Sequence, residues 1–232
     1  MSLPFFFEEN LPASDPFILS EESSRHISQV LRMKDGDQLL ITNGKGYTLT
    51  TKIISAHKKK TEVNILAREF LPPQKPKVAI AISPIKNTNR FEWFIEKATE
   101  IGVSAIIPLL CQRTEKTHFR SGRIQSILKS AMLQSRQVWL PELWEPMKLN
   151  ELMNNKDYDQ KFIAHCLKEK KTDLKNSAIN KSNSKIILIG PEGDFTEEEI
   201  RMAMLQNYIP VSLGETRLRT ETAGIVAAVL LK

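Results

Sequence analysis

Hydrophobic and polar positions change their spacing twice along this chain. Between Gln38 and Phe70 the apolar side chains fall in strand-length runs: Gln38 to Thr42, Tyr47 to Ile54 and, by alternation, Glu62 to Phe70. Asn43-Gly44-Lys45-Gly46 joins the first two and is a strong hairpin signal. Ahead of them, Ile27, Val30 and Leu31 recur at helical spacing within Glu21 to Met33, with Ser20 or Ser23 as the candidate cap. Leu71-Pro-Pro-Gln-Lys-Pro-Lys77 then favours an extended path. The pattern predicts a β-rich domain over 1–71, a linker over 72–77 and a second domain over 78–232.

In that second stretch strands and helices alternate, the mark of an α/β domain. Strands are expected at Val78 to Ser83, Ser104 to Leu110, Lys161 to Cys166, Ile186 to Ile189 and Ile209 to Leu213. The last two lack alternation, as strands buried on both faces do. Asn89 can cap a helix in which Phe91, Phe94, Ile95, Ala98 and Ile101 repeat and which Gly102 closes. Ile124 to Trp139 reads as a long helix, and Thr196 with Glu199 forms a capping box for a helix from Glu197 to Asn207. From Ala223 to Leu231 almost no polar face remains, so this helix must be covered all round, by its own domain or by a second subunit. Leu167 to Ser184 is a polar connection.

Two glycine bends stand out, because each follows a buried strand and precedes a helix: Gly190-Pro191-Glu192-Gly193, and Gly214 with the charged stretch after it. Ligands of α/β sheets bind at such carboxyl ends, where free backbone N–H groups are available. The Lys161 to Cys166 strand should bring Ala164, His165 and Cys166 to the same edge. The lysine and hydroxyl residue of a nucleotide-triphosphate loop are missing after Gly193.

Composition narrows the function classes. The 232 residues, 41% hydrophobic and 26% charged with a formal charge of +6, describe a globular chain compatible with a polyanionic partner. No apolar run approaches membrane-spanning length, and Phe5-Phe6-Phe7 is too short for a signal-peptide core, so a cytoplasmic protein is expected. Cys111 and Cys166 sit in apolar, strand-like contexts that favour buried free thiols. The four histidines show no metal-ligand spacing, so no metal is expected, and His165 and Cys166 would face opposite sides of a strand. Lys86, Arg90, Arg113, Lys116, Arg120 and Arg123 either line an RNA path or are scattered surface charge. Glu96 and Glu100 repel across one helical turn unless a nearby arginine relieves them.

Gly190-Pro-Glu-Gly193, Leu213-Gly214 and Leu218-Arg-Thr-Glu-Thr-Ala223 together resemble the ribosomal RNA small subunit methyltransferase E family of SPOUT methyltransferases. The stretches His26 to Asp37 and Glu96 to Val103, with Pro108 and Arg113, continue the resemblance. It implies an α/β SPOUT-type domain with a deep trefoil knot and a mainly parallel sheet, preceded by a small PUA-like β-barrel that grips RNA. It also implies a homodimer packed through the knot. The activity implied is transfer of a methyl group from S-adenosylmethionine to N3 of a uridine near the 3′ end of 16S ribosomal RNA, within the small ribosomal subunit. Alternatives are another SPOUT RNA methyltransferase, acting on ribose or a different base, and a non-catalytic assembly factor.

The resemblance places the cofactor among Ala164 and His165 of the Lys161 to Cys166 strand, Ile189, Gly190, Pro191 and Gly193 at the first bend, and Leu213, Gly214, Leu218, Thr220, Thr222 and Ala223 at the second. RNA contacts are expected at Arg25, His26 and Arg32, and at Lys86, Arg90, Arg113 and Arg217. Arg219, a permanent cation with planar donors, is the candidate for holding the uracil anion or a phosphate. Glu221 either orients Arg219 or takes a proton; a carboxylate among arginines is a weak base, which favours orienting. The chain departs from the family at Leu133, where glutamate is usual, at Gln137, where arginine is usual, and at Asp194, where a glycine is usual. Aspartate tolerates unusual backbone angles, so the first bend is expected to survive.

Overall fold

The structure, a computed structural model, describes residues 3–12, 14–117, 120–154, 157–168, 170–177 and 184–232. They form two compact units, residues 1–73 with 132–140, and residues 74–131 with 141–232.

The first unit contains β1 (Phe5–Phe7), β2 (Phe17–Ile18), α1 (Glu21–Arg25), β3 (Gln38–Thr42), β4 (Tyr47–Ser55) and β5 (Glu62–Phe70). They make a five-stranded sheet in the order β1-β3-β4-β5-β2. Alternation buries Leu49, Thr51 and Ile53 of β4 against Phe6, Leu39, Ile41 and Val63. The two short edge strands, of three and two residues, leave no periodic signal and were not foreseen. Ser20 is the cap, accepting the N–H of Ser23. The helix is shorter than its apolar spacing predicts: a π-helical turn takes over from His26 to Val30, and Arg32 turns left-handed at φ 52°. Gly46 shows why the hairpin needs glycine, since a Cβ there would lie 2.5 Å from the Trp139 ring and 2.7 Å from the Leu71 carbonyl.

The second unit runs through β6 (Lys77–Ile82), α2 (Thr88–Ile101), β7 (Ala105–Leu110), α3 (Ser121–Gln134, whose last residues group with the first unit), β8 (Glu142–Leu143), β9 (Met147–Lys148) and α4 (Leu149–Met153). It continues through β10 (Gln160–Ala164), β11 (Thr172–Asp173), α5 (Leu174–Ser177), β12 (Ser184–Ile189), α6 (Glu197–Leu205), β13 (Ile209–Ser212) and α7 (Thr220–Leu231). Its sheet has the order β11-β13-β10-β12-β6-β7-β8, with β9 beside β7, and every pairing is parallel. The central strands are buried on both faces, which accounts for their unbroken apolar runs. Ala79, Ala81, Ile107, Ile163 and Leu188 pack with Phe195, Ile200 and Tyr208 on one side. Helices α2 and α7 pack together, and α7 lies on β6 and β12.

Several local expectations change. Asn87, not Asn89, caps α2, its side chain accepting the N–H of Arg90 at 3.3 Å, while Gly102 closes the helix at φ 90° as expected. The repulsion between Glu96 and Glu100 is relieved by Lys97 rather than an arginine, with Nζ 2.7 and 2.9 Å from the two carboxylates. Helix α3 ends at Gln134 instead of Trp139, and Arg136 at φ 56° turns the chain. Cys111 is buried but Cys166 is exposed, because β10 ends at Ala164 and leaves Cys166 on a loop. The connection after Leu167 contains β11 and α5, with Leu174 buried; its residues 169 and 178–183 lie outside the described residues. Among the described residues no helix is long and apolar enough to cross a membrane.

Mid-helix Gly224 reports how closely α7 approaches its neighbours. A Cβ there would meet Phe94 of α2 at 2.6 Å and Ile82 of β6 at 2.9 Å. One side of α7 is buried in this way, through Glu221, Gly224, Ala228 and Leu231, whereas Val229 is exposed. Val229 is thus open while Thr222, Ala223, Ile225, Val226 and Leu230 are half-buried.

Candidate active site

Strand register brings the two glycine bends together. Ala164 of β10 stands beside Ile189 of β12 on one side and Val211 of β13 on the other, so three strands end at one edge. A cleft of about 410 Å³ opens there, walled by Ala164, Ile189, Gly190, Pro191, Thr220 and Ala223 among others. A second of about 360 Å³ adjoins it along His165, Lys171, Leu213 and Gly214. Both share Ala164, Cys166, Arg217, Leu218 and Ala223.

The first bend is held from several directions. Gly190 fits because a Cβ would press on the buried Phe195 ring at 3.0 to 3.1 Å. Thr220 Oγ1 donates to the Gly190 carbonyl at 3.1 Å and so ties the start of α7 to the bend. Asp194 adopts φ 62°, and its carboxylate accepts the N–H groups of Cys166 at 2.7 Å and Phe195 at 2.8 Å. The departure from glycine is thus accommodated in the left-handed conformation that aspartate tolerates. Arg113 Nη1 donates to the Gly193 carbonyl at 2.7 Å, and the Thr196–Glu199 capping box is complete. In the second bend Gly214 takes φ 129°, a conformation that favours glycine, while Ser212 Oγ donates to its carbonyl at 2.9 Å.

The charged residues divide differently from the expectation. Glu221 is nearly buried, its side chain 9% exposed, and its carboxylate lies 3.8 Å from Arg90 Nε. No ion pair joins it to Arg219, whose exposed guanidinium has no hydrogen-bond or ion-pair partner among the described residues. Arg217 lines both clefts. A third, shallower opening of about 520 Å³ is lined by Asn87, Asn89, Arg90, Trp93, Arg219, Glu221 and Thr222. Thr222 therefore lies on this opening rather than on the first two, and Gly193 serves as the anchor of Arg113 rather than as a lining residue. Lys86 is tied to this unit as well, its N–H donating to Glu192 at 3.2 Å and its ammonium to Glu115 at 3.2 Å.

In the first unit, Arg25 pairs with Glu21 at 3.1 Å, the exposed His26 ring meets Phe6 edge-on at 5.6 Å, and Arg32 is exposed. Cys166, Glu192 and Asp194 also line the first cleft, and sequence reasoning did not select them as binding residues. The only available signal was their position beside a strand end or bend. Asn87 and Trp93, which line the third opening, carry no sequence signal that marks them out.

The fold and cleft define an α/β protein with a cofactor-sized site at the carboxyl edge of its sheet. The RNA methyltransferase domain family matches residues 72–232, and the RNA methyltransferase PUA domain family matches residues 19–66. A ribosomal RNA small subunit methyltransferase E from Buchnera aphidicola subsp. Acyrthosiphon pisum is 30% identical, over 98% of this chain and 91% of its own length. A crystal structure of a probable rRNA-methyltransferase from Porphyromonas gingivalis superposes with a TM-score of 0.90 at 34% identity, covering 97% of this chain and 95% of that one. The ribosomal RNA small subunit methyltransferase E of Neisseria gonorrhoeae, bound to S-adenosyl methionine, superposes with a TM-score of 0.87 at 26% identity, covering 98% and 95%. This chain belongs to the ribosomal RNA small subunit methyltransferase E family.

Proposed function

We propose that the protein methylates N3 of a uridine near the 3′ end of 16S ribosomal RNA, using S-adenosylmethionine. The observation that carries this reading is that the first bend and the Arg217–Thr220 stretch after the second line one cleft, Arg219 included, while Gly214 lines the cleft adjoining it. The cleft suits such a cofactor: Ile189, Leu218 and Ala223 offer apolar walls, and the bends expose main-chain groups able to read adenine. When bound, S-adenosylmethionine supplies an electrophilic methyl group on sulfur, so that an N3–carbon bond forms as the sulfur–carbon bond breaks.

The chain's own residues have two tasks. One is to fix the reacting groups, which the Thr220–Gly190 and Asp194–Cys166 hydrogen bonds serve by holding α7 and the loop after β10 to the first bend. The other is to stabilise the uracil anion once its N3 proton has passed to solvent water, for which the Arg219 guanidinium, without an ion-pair partner among the described residues, is suited. Glu221, paired with Arg90, acts as a fixed counter-charge that positions Arg90. Arg25, His26 and Arg32 of the first unit, with Lys86, Arg90, Arg113 and Arg217 of the second, provide the basic groups for RNA.

The family's trefoil path is supported by the crossing of the chain from β13, beyond β10, to α7 on β6 and β12. A homodimer is supported by the exposed apolar side of α7 at Val229. The test is to incubate the full chain and labelled cofactor with unmethylated small subunits and with free ribosomal RNA, then digest the RNA and identify the labelled nucleoside by mass spectrometry. 3-Methyluridine at a single position is expected; a ribose-methylated nucleoside, a different base or no transfer would overturn the reading.

A further inference from the structure

Methylation at N3 places a demand on the protein that the cofactor cleft does not meet. N3 lies on the pairing edge of uracil, so the acceptor base must be unpaired and lifted from its stack. A base in that state is held by stacking on an aromatic side chain, with hydrogen bonds to its exposed edge. Among the described residues neither of the first two clefts is lined by Phe, Tyr or Trp, and the one imidazole, His165 of the second, is only 6% exposed and offers no open face for stacking.

The third opening does. Trp93 is 45% exposed, whereas its neighbours Phe91 and Phe94 on α2 are 3% and 0% exposed and belong to the core. Arg90 stands one turn before it on the same helix, and the two asparagines at the start of α2 stand close by. The Asn87 side-chain oxygen accepts the Arg90 N–H, which leaves the amide N–H donors of this lining residue available to a ligand. Arg90, Arg219 and Glu221 line both this opening and the methyl-donor cleft. The ion pair of Arg90 with Glu221 is therefore a shared wall, and a base seated here adjoins the first cleft.

We infer that Trp93, with Asn87, Asn89 and Arg219, forms the seat of the unstacked pyrimidine acceptor: Trp93 stacks on its face, and the amides and guanidinium donate to its carbonyl oxygens. This assignment rests on the methyltransferase reading of the adjoining cleft. It adds Trp93 as a substrate-binding residue and single-stranded RNA as the ligand class.

Two measurements on the full chain test it. In the first, tryptophan fluorescence is titrated with a short uridine-rich single-stranded RNA in the presence of S-adenosylhomocysteine. Quenching is expected in the parent and should be lost in Trp93→Phe; equal quenching in both overturns the inference, and this result is independent of whether methyl transfer occurs. In the second, Trp93→Ala and Trp93→Phe are compared for methyl transfer to whichever RNA the parent methylates. Trp93→Ala should lower kcat/KM for RNA by roughly 5- to 150-fold, the factor that one base–aromatic stack supplies. Cofactor affinity by calorimetry should be unchanged, and Trp93→Phe should retain most of the activity. Parental kcat/KM in Trp93→Ala overturns the proposal. So does loss of self-association in light scattering with RNA affinity intact, which would assign this helix face to a second copy. Failure of the parent to make 3-methyluridine counts against the proposed function, whereas failure of the Trp93 comparison counts against this seat alone.

Discussion

Asp194 and Cys166 are joined across the mouth of the cleft: the Asp194 carboxylate accepts the Cys166 N–H at 2.7 Å while also holding the N–H of Phe195. This single side chain pins the first glycine bend to the end of β10, at a position where the family usually has glycine. Asp194→Ala should destabilise the protein by about 2–3 kcal/mol, combining the cost of a left-handed alanine with two lost hydrogen bonds. It should also weaken cofactor binding. Asp194→Asn keeps an acceptor oxygen and the tolerance of positive φ, so it should stay near the parent. Urea denaturation and calorimetry together check this, and an alanine variant with parental values in both would remove the tether from the account.

Gly224 is a packing requirement rather than a flexible point. Gly224→Ala drives a methyl group into Phe94 and Ile82, both buried, and overpacking of this kind typically costs ~1–3 kcal/mol. Phe94→Leu in the same chain should recover part of the loss. A Gly224→Ala variant whose urea midpoint equals or exceeds that of the parent would show that α7 does not sit so close.

Arg219 is exposed, lines the cleft and is unpaired among the described residues, so its removal should spare the fold. Arg219→Ala should lower turnover by about 10²–10³, the usual effect of losing one stabilising donor. Cofactor affinity should change by no more than about twofold, which separates the loss from cofactor binding. Normal turnover would take Arg219 out of the mechanism.

Alkaline pH should unfold the protein earlier than surface charge alone would suggest. Burial, with the Glu199 charge nearby, pushes the Cys111 thiol up from 9.0 to about 12, and burial likewise pushes Tyr158 up from 10.0 to about 12. The folded chain thus keeps protons that the unfolded chain gives up. The stability these groups contribute is complete below pH 9.0 and is lost as pH rises toward about 12. Urea midpoints measured from pH about 8 to about 10.5 should fall steadily, and Cys111→Ala should flatten the first part of that fall. A midpoint that holds or rises over this range would contradict the burial of these groups.

Much of the fold was legible because its signals are local. The hairpin at Asn43 to Gly46, the Thr196–Glu199 capping box and the Gly102 helix end each depend on a few consecutive residues, and all three appear in the structure. The unbroken apolar runs likewise marked strands buried on both faces. Where a choice lay between two similar residues one or two positions apart, spacing was insufficient. Asn87 took the capping role from Asn89, and Lys97 took the place of an arginine beside Glu96 and Glu100. The edge strands at Phe5–Phe7 and Phe17–Ile18 were too short to show a period, because their identity as strands depends on β3 and β5 lying alongside.

The sequence by itself determined the order of the longer strands and helices, the two bends and the chemical kinds of residue beside them, since periodicity, capping and turn formation are properties of neighbouring residues. Only the tertiary structure decided that Ala164, Ile189 and Val211 stand in register, that Glu221 faces Arg90, and that Asn87, Trp93 and Arg219 border one opening. Those relationships depend on how parallel strands distant in sequence align and on how α2 and α7 are rotated against each other. No spacing along the chain encodes either.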